Sequence, residues 1–186
     1  MQEEIKKVLD VLYNGGIFLY PTDTIWGIGC DATNTEAVKR IYKLKKRVDS
    51  KSMLVLINDA NRIPSYIEEM PEIAWDLMDV NDQPLTIIYP GAKNLAANLI
   101  AEDKTIGIRV TNDPFCNALI KRFKRPIVST SANISGQPSP ANFSEITDNI
   151  KNQVDYIVKH RQNEKGKAKP SSIIQLGVGG QVKVIR

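Results

Sequence analysis

Three short polar segments carry side chains able to handle an anionic substrate. The first, Tyr20-Pro21-Thr22-Asp23-Thr24 followed by Gly27 and Gly29, offers hydroxyls, a carboxylate and backbone that a ligand can approach closely. A turn capped by Thr and Asp accounts for it equally well. The second gathers Lys45, Lys46 and Arg47 with Lys51 a little further on. Arginine grips phosphate with two parallel N–H groups and lysine acts as a point charge, so the cluster suits a polyanion. A basic helix end complementing the backbone dipole would look the same. The third, Ser129-Thr130-Ser131-Ala132-Asn133 with Gly136, Ser139 and Pro140 after it, sets small hydrogen-bonding groups on alternate residues. If the chain stays extended there, Ser129, Ser131 and Asn133 point to one side as a binding edge; a Ser/Thr-rich turn is the alternative.

These segments sit where predicted elements end. Ile5, Val8, Leu9 and Leu12 share one face of an opening helix that stops at Gly15 and Gly16, after which IFLYP reads as a buried strand. TEAVKRIYKLKKR is amphipathic, with Thr33 or Asn34 as its cap, and ends in the basic cluster; Lys45 and Arg47 are too close in sequence to share a helix face and converge only if the helix ends near them. LVLI, PLTIIYP, TIGIRV, PIVSTSAN, DYIVKH, SSIIQL and VKVI read as strands, and EIAWDLM, PFCNALIKRF and FSEITDNI as helices. The alternation predicts an α/β domain with a large twisted mixed sheet flanked by helices. RQNEKGKAKP is a polar surface loop or a lid over a phosphate-bearing ligand.

Composition narrows the class further. With 186 residues, 42% hydrophobic and 25% charged, the chain fits one domain over 1–186. No apolar run is long enough to span a bilayer and the N-terminus is unlike a signal peptide, so a cytoplasmic location is expected. Cys30 and Cys116 have neither zinc spacing nor disulfide density. His160, the single histidine, lies in a polar loop, leaving little room for histidine-based catalysis. A net charge of +4 attracts anions without saying which.

The motifs YPTDTIWGIGCDA, LKKR, IGIRV and VSTSANISG stand in the order and approximate spacing of the YrdC family, and the chain resembles its short members over nearly its whole length. The resemblance implies a single-domain, twisted, largely parallel α/β sheet with a concave basic face. It also implies synthesis of threonylcarbamoyl-AMP and pyrophosphate from L-threonine, bicarbonate or CO2, and ATP, feeding threonylcarbamoyladenosine modification of tRNA. Carried over residue by residue, the family's Lys-x-Arg pair falls on Lys45 and Arg47 and its Ser-x-Asn pair on Ser131 and Asn133, the four expected catalytic residues. Arg47, Lys51, Ser131, Asn133, Ser139 and Arg186 match ATP contacts; Thr24, Arg109, Ser129 and Ser172 match threonine contacts, and the matches at Ser171, Ser172 and Arg186 are looser than the rest. Three positions depart from the family pattern: Val48 replaces a proline, Asn81-Asp82-Gln83-Pro84 replaces Trp-Pro-Gly-Pro, and Leu56 stands where some long members have histidine.

The implied reaction brings a carboxylate to a polyphosphate, so the site must supply fixed positive charge. Mg2+ is expected to arrive with ATP, with no permanently bound metal; Asp23 either touches its water shell or caps a turn. Neither a membrane nor a covalent enzyme intermediate is implied. The expected partners beyond the substrates are downstream threonylcarbamoyl transferase proteins. The alternative reading is a paralogue that binds nucleotide, tRNA or double-stranded RNA through the basic face without efficient synthesis. With 6% aromatic residues, RNA binding would be led by shape and sensitive to salt.

Overall fold

The computed structural model describes residues 1–46, 53–165, 169–177 and 179–186. Arg47, Val48 and Lys51 lie outside the described residues, as do 166–168 of the proposed lid segment. Helix α1 (Gln2–Tyr13) buries Ile5, Val8 and Leu12 and leads through a glycine pair to β1 (Phe18–Tyr20). Gly15 takes φ +70, and a Cβ on Gly16 would sit 2.6 Å from Val11 Cγ1, so both places in the turn require glycine. The chain then forms β2 (Gly27–Gly29), antiparallel to β1. That strand is absent from the periodicity because GIG has two residues without side chains. Its glycines lie beneath the ring of Tyr20: a Cβ on Gly29 would come within 2.7 Å of Tyr20 Cε1.

Helix α2 (Thr35–Lys45) starts at Asn34, whose side chain accepts from Ala37 N, and ends at Lys46 in the left-handed conformation, φ 50. Then come β3 (Leu54–Ile57), α3 (Glu72–Asp79), β4 (Leu85–Tyr89) and β5 (Ile106–Val110). Helix α4 (Pro114–Phe123) has Asp113 as cap and proline in its first turn, and leads to β6 (Ile127–Ser131). The expected helix in FSEITDNI is instead a 3-10 turn, Phe143–Glu145, and one turn of helix, α5 (Asp148–Lys151), separated by extended Ile146. Local bonds divert it: Asn142 Oδ1 accepts from Ser144 N, and Glu145 Oε2 accepts from Ala141 N. The last strands are β7 (Tyr156–Ile157), β8 (Ser172–Leu176) and β9 (Val182–Val184).

The strands join in one sheet ordered β7-β1-β2-β6-β3-β5-β4-β8-β9. The mixed α/β architecture expected from the sequence is present. Among the described residues β1–β7, β3–β5 and β4–β8 pair parallel and the other five pairs are antiparallel, so parallel pairs are the minority. Strand alternation divides the core in two. On one face Leu19, Ile28, Val55, Ile57, Ile108, Val128 and Ile174 pack in a cluster with Val38 and Ile41 of α2 and Ala74 of α3. On the other, Phe18, Tyr20, Leu56 and Ile127 pack under α1 and α4. The second cluster does not extend across the sheet, so Gly107, Thr86 and Ser131 are left to floor a cleft.

Candidate active site

The cleft has a volume of about 260 Å3, and strand register explains its lining. Leu54 of β3 pairs with Ser129 of β6, Leu56 of β3 with Arg109 of β5, and Ile88 of β4 with Gly107 of β5. Partners across a ladder share a face, so Leu54, Gly107, Arg109, Ile88 and Ser129 all open onto one side. Gly107 keeps the floor low: a Cβ there would stand 3.4 Å from Leu54 Cβ and Thr86 Cγ2, in ordinary contact, and would occupy the cleft itself.

Arg109 dominates one end. Its side chain is 3% exposed, its Nη1 donates to Thr24 Oγ1 at 2.9 Å, and its Nη2 lies 3.1 Å from Asp23 Oδ1. The charges are in contact but not aligned as a hydrogen bond, and among the described residues Asp23 Oδ1 and Arg109 Nε are both buried with no hydrogen-bond partner. Arg109 lines the cleft, and a buried guanidinium there is a ready receptor for a carboxylate. Thr22 shapes the loop that presents Thr24: its hydroxyl donates to Ile25 O at 2.8 Å and accepts from Thr24 N at 3.0 Å. From behind, Arg161 Nη1 clasps Thr22 O at 3.3 Å and Asp113 Oδ2 at 2.7 Å. Asp23 is therefore the counter-ion of Arg109, with Thr111 Oγ1 at 3.5 Å from its other oxygen.

At the opposite end Lys45, Ser131 and Asn133 come together. The Lys45 ammonium, in a residue 1% exposed, donates to Ser131 O at 2.5 Å, Asn133 O at 2.6 Å and Asn133 Oδ1 at 3.3 Å. It knots the end of β6 from below, while Ser131 and Ser139 line the cleft above. The extended binding edge stops short of Asn133: the strand ends at Ser131, Asn133 N turns back to Ser131 O, and Asn133 Nδ2 donates to Gln137 O. Neither Lys45 nor Asn133 is among the residues that line the cleft.

The far wall comes from Pro170, Ser171, Ile173 and Arg186. Ser171 Oγ pairs with Thr86 Oγ1 at 2.9 Å, and Ser171 O accepts from Arg186 Nε at 3.1 Å. Ser172, expected to contact threonine, is exposed and absent from the lining, because Leu85 pairs with Ser172 and puts it on the opposite face; alternation gives the place to Ser171. His160 is half-buried beside Phe115, ring centroids 6.0 Å apart, and does not line the cleft. Burial pushes both thiols, Cys30 and Cys116, well above the ordinary cysteine range, which leaves them protonated and poor nucleophiles. Among the described residues no three His, Cys, Asp or Glu side chains gather as a metal-binding group, and no helix is long and apolar enough to cross a membrane.

Comparison with known proteins places this arrangement. The Sua5/YciO/YrdC family model, described as telomere recombination, matches residues 10–186. The chain belongs to the Sua5/YciO/YrdC family. It is 32% identical over 175 residues to the threonylcarbamoyl-AMP synthase of Pseudoalteromonas translucida, covering 92% of both chains. Among solved structures, E. coli YciO superposes with a TM-score of 0.86 at 28% identity, over 100% of this chain and 89% of that one. A variant of P. abyssi Sua5 superposes at 0.88 with 25% identity, and there this chain spans 54% of the longer partner. A Sua5 fold with bound L-threonine has also been solved, at 24% identity.

Proposed function

We propose that this chain is a threonylcarbamoyl-AMP synthase, a nucleotidyltransferase that joins L-threonine, bicarbonate or CO2, and ATP. The observation that carries the reading is Arg109: buried, positioned by Thr24 and Asp23, and lining the cleft. It receives the amino acid's α-carboxylate, and Thr24 and Ser129 meet the amine or the side-chain hydroxyl. The threonine amine takes up CO2 to form a carbamate. A carbamate oxygen then bonds to the α-phosphorus, the bond from that phosphorus to the bridging oxygen breaks, and pyrophosphate leaves.

Two anions approach each other in this step, so buried positive charge aimed at the cleft lowers the barrier. Lys45 contributes by fixing the end of β6, with Ser131 and Ser139 presented to the nucleotide. Mg2+ enters bound to the triphosphate as part of the substrate, since Asp23 is committed to Arg109. The product passes to separate transferase proteins that act on tRNA.

The test is pyrophosphate release from ATP by the purified chain. Release should require both threonine and bicarbonate, and valine should support it far less, because a site built around a hydroxyl is left with unpaired polar groups when the hydroxyl is missing. Equal rates with valine, or release independent of bicarbonate, would overturn the reading.

A further inference from the structure

Across the sheet from the cleft lies a second cavity, larger than the first at about 440 Å3. Its floor is apolar and buried, with Ile87, Tyr89 and Ile108 no more than 2% exposed. Asp79 and Asp82 stand at its mouth, both exposed. No Lys, Arg or His is among the described residues that line it. The inner carboxylate, Asp23, is already matched by Arg109, so the uncompensated charge is at the mouth. It is reinforced by backbone: Asp79 is the last residue of α3, a helix with no basic residue in its final turn, and the partly negative carbonyl end of that helix opens beside it.

An apolar slot with a negative rim fits one class of ligand. We infer that this cavity is a second binding site, for a small organic ammonium ion whose apolar body enters the slot while its charged end stays with Asp79 and Asp82. Volume supports the assignment, since small-molecule sites typically span roughly 300–1,000 Å3 and are apolar with a few placed polar groups. Charge rules out the anionic substrates of the cleft as occupants. Alternation of β4 and β5 separates the two cavities: Thr86 and Ile88 line the cleft, Ile87 and Tyr89 the slot. The inference does not rest on the synthase reading and is tested without ATP or threonine.

Calorimetric titration of the whole chain with 2-phenylethylammonium at low ionic strength should show a single site. Neutral 2-phenylethanol lacks the charge and methylammonium lacks the apolar body, and each should bind at least about tenfold more weakly. The double substitution D79N/D82N should weaken the ammonium probe by about fivefold or more. D76N, which removes an exposed carboxylate of α3 outside the cavity, should leave binding unaltered. Absence of binding overturns the inference. So does equal affinity for either control compound, indifference to D79N/D82N, or an equal loss in D76N, which would mean attraction to surface charge alone.

Discussion

The two faces of the sheet use the same strands for opposite purposes. On one side β4, β5 and β6 turn Thr86, Gly107, Arg109, Ser129 and Ser131 toward a cleft of about 260 Å3; on the other, the intervening residues of β4 and β5 floor an apolar slot of about 440 Å3. Size is therefore a poor guide to where the chemistry lies. What separates the faces is the sign of the charge and the satisfaction of the polar groups. The cleft is lined by a buried cation, whereas the slot has hydrocarbon below and carboxylates above. Asp23 lines the slot and pairs with Arg109 of the cleft, so one ion pair crosses the sheet at its end.

The sharpest way to break this contrast is to remove that cation. Arg109→Ala should lower threonine-dependent pyrophosphate release by about a hundred- to a thousandfold, the scale of losing a main electrostatic donor. It should also destabilise the fold by about 3 kcal/mol, because Asp23 is left largely buried and unpaired. Urea denaturation of the same variant reads the second effect. A variant that keeps its activity would remove Arg109 from the site.

Gly107→Val asks whether the cleft can be closed without disturbing the sheet. The new Cβ meets Leu54 Cβ and Thr86 Cγ2 at ordinary contact distance, and the side chain projects into the space meant for substrate. Activity should drop by about a hundredfold through misplaced substrate while the melting temperature changes little, since valine suits a strand. Binding of 2-phenylethylammonium across the sheet should be untouched. Loss of both activities together would mean that the two faces are not independent.

Lys45→Met tests a subtler point, whether this lysine acts on substrate or on the protein. Its ammonium satisfies the carbonyls of Ser131 and Asn133, and methionine would leave both without that donor. Ser131 O keeps its bond from Asn133 N, so among the described residues the carbonyl left without a partner is that of Asn133, and the expected cost is about 1–3 kcal/mol, seen in urea denaturation, together with loss of activity. Reduced activity at unchanged stability would instead give Lys45 a direct role in the reaction.

Much of this was legible in the sequence, with limits set by what local patterns encode. Periodicity located α1, α2, α4 and the apolar strands, because each carries enough side chains to declare a face. It passed over β2, whose glycines are chosen for what lies on top of them, the ring of Tyr20. The burial of Lys45 did have a signal: it follows Ile41 by one helical repeat and so shares a core-facing stripe. Thr22 and Asp23 stood in the first polar segment without a signal for the roles they take, and Arg161 had none as part of the site. Their roles depend on residues far away in the chain, such as Arg109, and become visible only once register brings the strands together. The choice between Ser171 and Ser172 is of the same kind, since adjacent serines differ only in which face the pairing with β4 assigns them.

The smallest predicted effect supplies a control that should move neither face. Asp155 accepts from both Arg40 Nη1 at 2.8 Å and Ile17 N at 2.7 Å, and its partner Nη2 bonds the second oxygen at 3.0 Å, tying α2 to the start of β7. The Arg40 hydrogen bonds, and then that of Ile17, hold the Asp155 carboxyl below its ordinary range. A carboxyl whose native pKa is depressed adds stability that is present in full above its unfolded value, near 4, and is lost as pH falls through the lower native value. Both side chains are more than two-fifths exposed, so solvent screens the pair. Arg40→Ala should therefore cost no more than about 1 kcal/mol in urea denaturation at pH 7. The difference from the parent chain should shrink once the pH is taken below the native pKa, where Asp155 is protonated in both proteins. Pyrophosphate release and binding of 2-phenylethylammonium should remain as they were, because Arg40 lines neither cavity. A gap that instead widened in acid would mean that the pair is not what lowers the Asp155 pKa, and that α2 is held to the sheet by its apolar face alone.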